Sequence, residues 1–200
     1  MANIWDHYSS AQDFVGYKGQ QVGFLDRDGT ICHEQPISRA GEQVALIEGS
    51  AEGVALLKHH GYYLIVITNQ PRISRGEADE GRLREINDAL SGQIETLTGE
   101  RIDHFLYCPH EDNACPWRKP NPGMLQFAAL RLGLDITRTT VVGDSHKDIL
   151  AGQAVGARTI QVLTRNLVSD GTPKPCQPNH TAPDLLAAAH LILRLDHISV

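Results

Sequence analysis

The chain has 200 residues, enough for one compact domain with a sizeable core. Apolar residues make up 41% and charged residues 21%, as in ordinary soluble globular proteins. Eighteen basic against 24 acidic residues give a formal charge of -6, which argues against nucleic-acid binding because that requires a basic face. The start of the chain has no basic segment followed by an apolar stretch, and no apolar run is long enough for a membrane span. We therefore expect a cytoplasmic protein without a membrane partner.

The first half of the chain alternates between apolar strand patterns and helix patterns. Residues 1–20 are polar and aperiodic and are interpreted as a loosely attached lead-in to a single domain over 21–200. The elements predicted next are a strand over 21–25, a helix over 49–60 capped by Ser50, a strand over 62–68, a helix over 77–97 and a strand over 103–107.

The second half continues the alternation. Its predicted elements are a helix over 121–132 opened by Pro122, a strand over 139–142, a helix over 148–155, a strand over 159–163, a surface loop over 166–183 with four prolines and a helix over 183–195. Strands that alternate with helices predict an α/β fold with a central parallel sheet. Ligands of such sheets bind beyond the carboxyl ends of the strands, where Asp26, Thr68, Cys108 and Asp144 fall.

The most specific string is Asp26-Arg27-Asp28-Gly29-Thr30, directly after the first strand. Two carboxylates so close repel each other unless a cation lies between them or one binds a proton. Both solutions suit phosphoryl transfer, because Mg²⁺ offsets the charge and a protonated Asp28 can act as general acid. A structural alternative is a turn, since Asp-x-Asp-Gly also occurs in ordinary loops.

Three further fragments follow strands in the same order. Thr68-Asn69-Gln70 presents a hydroxyl and two amides, Arg118-Lys119-Pro120 supplies two cations, and Gly143-Asp144-Ser145 precedes Asp148 near a helix start. Each fragment alone fits a cap, a solvated basic pair or a turn. Together, at successive strand ends, they favour a catalytic site for phosphate esters.

DRDGT, TNQ, RKP and GDSHKD resemble the four motifs of the haloacid dehalogenase-like (HAD-like) phosphatases, from about Val22 to Leu163. The resemblance implies a Rossmann-like three-layer fold and Mg²⁺-dependent hydrolysis through a phosphorylated aspartate. The roles that it implies are a nucleophile and Mg²⁺ ligand at Asp26, a general acid/base at Asp28 whose backbone carbonyl also binds Mg²⁺, a phosphate-binding hydroxyl at Thr68, a neutralising cation at Lys119, a further Mg²⁺ ligand at Asp144 and a supporting carboxylate at Asp148.

Within that family the chain resembles the group of heptose bisphosphate phosphatases and histidinol phosphatases. The resemblance rests on DRDGTI, on the Ile-Ser-Arg-Gly stretch over 73–76 and on the loop from Cys108 to Met124. It implies no large cap domain, and a short Cys/His loop that acts as a minimal lid. The residues predicted to bind substrate are Asn69, Gln70, Arg72, Arg75 and Arg118. Pro71-Arg72 departs from the Ser-Gly usual in the family, and the added cation favours a second anionic group on the substrate.

Cys108, His110 and Cys115 are spaced as candidate ligands of a structural Zn²⁺. The group's loop carries a fourth ligand, a cysteine, where this chain has Trp117, and a closed structural zinc site has four ligands. Glu111, Asp112 or a water completes the site, or the site is empty and the thiols are merely packed. We expect Trp117 to replace the missing cysteine by packing its ring against the domain.

The sequence thus predicts a monomeric phosphomonoesterase for a small phosphorylated metabolite, with a heptose bisphosphate as the leading substrate. One alternative is a histidinol-phosphate phosphatase, which the cations Arg72 and Arg75 disfavour because that substrate carries an amine. Another is a non-catalytic phosphometabolite-binding protein of the same fold. A nucleic-acid 3′-phosphatase is disfavoured by the acidic balance.

Overall fold

The computed structural model describes residues 14–34, 44–164 and 176–198. Its centre is a six-stranded, entirely parallel sheet in the order β3-β2-β1-β4-β5-β6. The strands are β1 (Val22–Leu25), β2 (Tyr63–Asn69), β3 (His104–Cys108), β4 (Thr140–Gly143), β5 (Arg158–Val162) and β6 (His180–Ala182).

Helices connect the parallel strands and cover the sheet. They are α1 (Ser50–His59), α2 (Glu80–Thr98), α3 (Gly123–Leu132), α4 (His146–Ala154) and α5 (Leu185–Leu195), with a 3₁₀ turn at Ile136–Arg138. The predicted three-layer α/β architecture is confirmed. None of the helices in the described ranges is long and apolar enough to cross a membrane.

Successive residues of the central strands supply two separate cores, because side chains alternate between the faces of a sheet. Leu25, Leu64 and Val66 face a cluster that includes residues of α1, α2 and α5. Phe24 and Ile65 face the other cluster, which includes residues of α3 and α4. The strands are therefore buried on both sides, which explains their continuous apolar sequences.

Each of the five helices begins one to three residues away from its predicted start, and the N-caps explain two of these differences. Ser50 does not cap α1: it is the first helical residue, and Gly49 is the N-cap with φ 78°, a left-handed conformation that favours glycine. The fourth helix begins at His146 rather than Asp148, since Ser145 is its N-cap and forms a capping box with Asp148. That Ser-x-x-Asp signal is readable in the sequence.

Both segments predicted to be loose contain ordered structure. Residues 1–13 lie outside the described residues, but Phe14 and Tyr17 pack against the core on the α3/α4 side of the sheet. The predicted loop over 166–183 includes β6 near its end, and 165–175 lie outside the described residues. The strand was missed because His-Thr-Ala is short and follows several prolines.

The order of strands reverses direction between β1 and β4, which are neighbours in the sheet. A crevice opens at such a switch point outside the carboxyl ends of the strands. Asp26 follows β1 and Asp144 follows β4, so the fold places both carboxylates at this point.

Candidate active site

A buried lysine joins two carboxylates at the switch point. Lys119 Nζ lies 2.6 Å from Asp26 Oδ1 and 2.5 Å from Asp148 Oδ1, and it donates a hydrogen bond to the carbonyl of Ile67 at 2.7 Å. The other oxygen of Asp148 accepts from the backbone amide and hydroxyl of Ser145 at 3.1 and 2.6 Å. The capping box of α4 therefore orients the carboxylate that holds the lysine.

Burial and charge act in opposite directions on the two central groups. Burial, followed by the nearby Asp148, raises the pKa of Asp26 well above its ordinary value, while Lys119 opposes that shift. Burial alone disfavours the charged ammonium of Lys119, but Asp148 and Asp26 outweigh it and raise the pKa of Lys119. The lysine is therefore charged, and Asp26 is short of compensating positive charge.

The excess of carboxylates fits a divalent cation. Asp26, Asp144 and Asp148 are buried and offer oxygen atoms that all lie within 4.8 Å of one another. Counting Asp28 as well, four carboxylates face the two cations Lys119 and Arg27 and leave two negative charges when all are ionised. Hard oxygen donors with this net charge suit Mg²⁺.

The second aspartate of the DRDGT motif is held in a dense set of hydrogen bonds. The guanidinium of Arg27 lies 2.9 Å from Asp28 Oδ2 and 3.1 Å from Asp28 Oδ1. Gln70 Nε2 donates to Asp28 Oδ2 at 2.7 Å and to Thr68 Oγ1 at 2.9 Å. The motif at the end of β1 and the motif at the end of β2 are thus directly linked.

The two amides predicted to bind substrate are engaged within the protein. Asn69 forms a reciprocal pair with the backbone of Lys119, with N···O distances of 2.9 and 3.0 Å. Gln70 is buried, and its amide nitrogen bonds Asp28 and Thr68. In this arrangement both amides position neighbouring groups of the site.

The three predicted substrate-binding arginines lie on the loops around the site. Arg72 pairs with Glu34 at 3.3 Å, and Arg75 pairs with Glu111. Arg118 donates to the carbonyl of His110 at 2.8 Å. Arg75 is 45% exposed, so its guanidinium is accessible to an anion.

The Cys/His loop brings its three candidate ligands together. Cys108 Sγ and Cys115 Sγ are 3.7 Å apart, and His110 Nδ1 lies 3.8 and 3.3 Å from them. Cysteine thiolates and imidazole are the ligands that Zn²⁺ prefers, so the donor set fits this metal. Burial raises the pKa of the Cys108 thiol to about 12.

Neither acidic side chain considered as a fourth ligand belongs to this cluster. Glu111 accepts from Arg75 Nε at 2.9 Å, and Asp112 Oδ1 accepts from the amide of Ala114 at 2.8 Å. In the described part of the chain, the cluster consists of the two thiols and one imidazole. Trp117 is buried and its ring centroid lies 5.0 Å from that of Phe127, which confirms that it packs against the domain.

Comparison with known proteins assigns the family. A model of the HAD-hydrolase-like family matches residues 116–188. A D-glycero-beta-D-manno-heptose-1,7-bisphosphate 7-phosphatase from Pasteurella multocida is 32% identical over 177 residues, 84% of this chain and 95% of the relative. The chain belongs to the HAD-like phosphatases. An enzyme of the same name from Rhodopseudomonas palustris is 36% identical over 143 residues, covering 68% of this HAD-like phosphatase and 79% of the relative.

Solved structures of HAD-like phosphatases agree with the assignment. The D,D-heptose 1,7-bisphosphate phosphatase from B. bronchiseptica, complexed with magnesium and phosphate, superposes with a TM-score of 0.77 at 28% identity. The superposition covers 88% of this chain and 99% of that enzyme. The corresponding enzyme from Burkholderia thailandensis gives a TM-score of 0.65 at 30% identity, covering 87% and 99% of the two chains.

Sequence reasoning missed two residues of this HAD-like phosphatase site. The sequence motif predicts no role for Arg27, yet it is buried and contacts Asp28. Asn87, in the middle of α2, accepts a hydrogen bond from Arg27 at 3.0 Å. A buried polar position at Asn87 in an otherwise amphipathic helix is a weak signal, because such positions also occur without function.

Proposed function

We propose that this phosphatase hydrolyses a heptose bisphosphate or a similar sugar phosphate through an aspartyl phosphate formed on Asp26. The observation that carries the proposal is the buried contact of Lys119 with both Asp26 and Asp148. A carboxylate that attacks a phosphate dianion needs its charge offset, and a preorganised cation does so without reorganisation.

In the first half of the proposed reaction, an oxygen of Asp26 attacks phosphorus and the bond to the sugar oxygen breaks. Asp28 gives its proton to that leaving oxygen. In the second half, a water attacks the phosphoryl group on Asp26 while Asp28 takes a proton from it, which releases inorganic phosphate and restores both carboxyl groups. Division into two displacements replaces one hard step by two easier ones.

Asp26, Asp144 and the backbone carbonyl of Asp28 are the proposed ligands of Mg²⁺, with Asp148 in support. When bound, the metal polarises phosphoryl oxygens and offsets their charge. Thr68 supplies a hydroxyl for a phosphate oxygen, and Gln70 orients that hydroxyl by its hydrogen bond at 2.9 Å. Asp148 has both oxygens engaged, by Lys119 and by Ser145, which supports an orienting role for it.

The proposed substrate follows from the relatives' names and from the arginines around the site. The relatives from Pasteurella multocida and Rhodopseudomonas palustris are named as 7-phosphatases of the β-heptose 1,7-bisphosphate. Arg72 and Arg75 add cationic groups that suit a second phosphate, and each is held by a carboxylate that an anion can displace. Asn69, Gln70 and Arg118 then act by holding the loops that carry these groups.

The Cys/His loop is proposed to hold one Zn²⁺ through Cys108, His110 and Cys115. Three protein ligands leave a fourth position for water or another small ligand. The metal would fix the loop as a wall of the substrate pocket. We also propose that the enzyme is located in the cytoplasm, where thiols stay reduced, and that it is a monomer.

Kinetics on a substrate panel test the proposed function. The panel contains the β-heptose 1,7-bisphosphate, its 1-phosphate, other sugar phosphates and histidinol phosphate, with Asp26→Asn as the inactive control. We expect the highest kcat/KM for the bisphosphate, with one phosphate released per molecule. A higher kcat/KM for histidinol phosphate would favour a histidinol-phosphate phosphatase. No turnover of any ester in the presence of Mg²⁺ would indicate a binding protein.

A further inference from the structure

A buried arginine contacts the carboxylate to which proton transfer is assigned. Arg27 is only 4% exposed. Its Nη2 lies 2.9 Å from Asp28 Oδ2 and its Nε lies 3.2 Å from Asp28 Oδ1, so the planar group meets both oxygens of the carboxylate. Such a two-point contact restricts rotation of the carboxylate, which a single point charge does not.

The same arginine is anchored on its far side. Arg27 Nη1 donates to Asn87 Oδ1 at 3.0 Å, and this amide belongs to α2, sixty residues further along the chain. The backbone carbonyl of Arg27 accepts from the amides of Ile31 and Cys32 at 2.9 and 3.1 Å. The loop after β1 therefore fixes the backbone of Arg27, and a helix of the core fixes its guanidinium.

Gln70 completes the arrangement from the neighbouring strand. Its amide nitrogen bonds Asp28 Oδ2 and Thr68 Oγ1. The carboxylate of Asp28 is thus held by two residues, Arg27 in the loop after β1 and Gln70 directly after β2. Arg27 itself bonds the side chains of Asp28 and Asn87.

We propose that Arg27 is a positioning residue, which fixes the Asp28 carboxyl group for proton transfer to and from the reacting oxygens. This rests on the proposed role of Asp28. Proton transfer requires hydrogen-bond reach between the acid and the leaving oxygen, and a displacement of about 1 Å can cost about 10²-fold in rate. Arg27 acts through geometry, so its loss should lower kcat and leave KM nearly unchanged.

The test is a double-mutant cycle of Arg27→Met and Asp28→Asn with an alkyl and an aryl phosphate. The alkoxide that leaves from a sugar phosphate needs a proton, whereas p-nitrophenolate leaves without one. The burst phase with p-nitrophenyl phosphate therefore measures formation of the aspartyl phosphate without the need for a general acid. We expect Arg27→Met to lower kcat for the sugar phosphate about 10²-fold and to change the aryl burst rate less than about threefold. In the Asp28→Asn background the same substitution should change kcat less than about threefold.

Two further variants separate positioning from folding. Arg27→Lys keeps the charge but loses the two-point contact, and should recover only part of the lost rate. Arg158→Met breaks another partly buried arginine–aspartate pair, which joins Arg158 to Asp196 at 2.8 Å, and should lower stability without a preference between the two esters.

Two results would overturn the role of Arg27. One is a loss of rate in Arg27→Met that is equal for the alkyl and the aryl ester. The other is a further loss of about 10²-fold when Arg27→Met is added to Asp28→Asn. An Asp28→Asn enzyme with wild-type turnover of the sugar phosphate would instead overturn the role of Asp28 and, with it, the inference. A wild-type rate in folded Arg27→Met, together with a strongly reduced rate in Asp28→Asn, would reject only the positioning role of Arg27.

Discussion

Lys119 Nζ lies 2.6 Å from Asp26 Oδ1 although 93 residues separate the two in sequence. The contact forms because Asp26 directly follows β1, while the loop before α3 carries Lys119 and is held by Asn69 at the end of β2. The cation is therefore in place before any phosphate arrives. This preorganisation is the structural basis of the proposed catalysis.

Removal of the lysine charge should abolish most of the activity. Lys119→Met leaves Asp26 and Asp148 buried without their common cation, and we expect kcat to fall by at least about 10²–10³-fold. Steady-state kinetics with Lys18→Met as the control, an exposed lysine, measure the effect. A kcat of Lys119→Met within tenfold of the wild type would show that its charge is not required.

A divalent cation should stabilise the folded protein through the three buried carboxylates. Binding to the native state alone adds about 2.7 kcal/mol when the free ligand is at 100 times its Kd. We expect Mg²⁺ to raise Tm after EDTA treatment and to restore activity. Asp144→Asn should remove the rise in Tm, whereas Asp88→Asn, at an exposed position on α2, should retain it. An equal rise in both variants would place the binding elsewhere.

The fold and the position of the site were accessible from the sequence because both depend on local patterns. Asp26 and Asp144 directly follow apolar strands and Thr68 is the last residue but one of another, and a parallel sheet brings such strand ends to one edge. The position of the site could therefore be predicted without knowledge of any tertiary contact. The motif order then distinguished four strand-end fragments from four unrelated turns.

The support around the site was not accessible in this way. Arg27, Asp28 and Asn87 meet through packing of α2, and nothing local to Asn87 distinguishes it from another polar position in a helix. Asn69 and Gln70 are predicted to bind substrate, because an amide at a strand end can serve a ligand. Their contacts with Lys119, Asp28 and Thr68 join separate parts of the chain, and the local sequence does not predict them.

Zinc content tests the proposed metal of the Cys/His loop. Protein purified without chelator should contain about one zinc per chain. Cys108→Ser should lower that content and raise KM more than it lowers kcat, because the loop is proposed to form a wall of the pocket and to take no part in the chemistry. Cys176→Ser, which changes a cysteine outside the cluster, should retain the zinc. Elemental analysis that finds none in the wild type would reject the site.

His104 should make the fold sensitive to acid. Burial lowers the pKa of His104 to about 4, with Asp103 opposing, and its ring stacks on Phe14 at 4.2 Å between centroids. The unfolded chain binds a proton near pH 6.5, whereas the native state does not, so stability is lost as pH falls from about 6.5 to about 4. The loss attributable to this residue is about 2–3 kcal/mol.

Chemical denaturation at several pH values measures that loss. His104→Phe keeps a ring beside Phe14 and should show a smaller decrease in unfolding free energy between pH 6.5 and pH 4 than the wild type. His190→Gln, at an exposed position on α5, should follow the wild type. Parallel curves for His104→Phe and the wild type would contradict the assignment.

Detection of a covalent phosphate on Asp26 tests the central claim most directly. The enzyme is mixed with substrate and Mg²⁺, quenched in acid within one turnover, digested and analysed by mass spectrometry, with Asp26→Asn treated in parallel. We predict a phosphate on the peptide that contains Asp26, formed at a rate no slower than kcat and missing from Asp26→Asn. Turnover without any phosphorylated peptide, or a phosphate on another residue, would contradict the account.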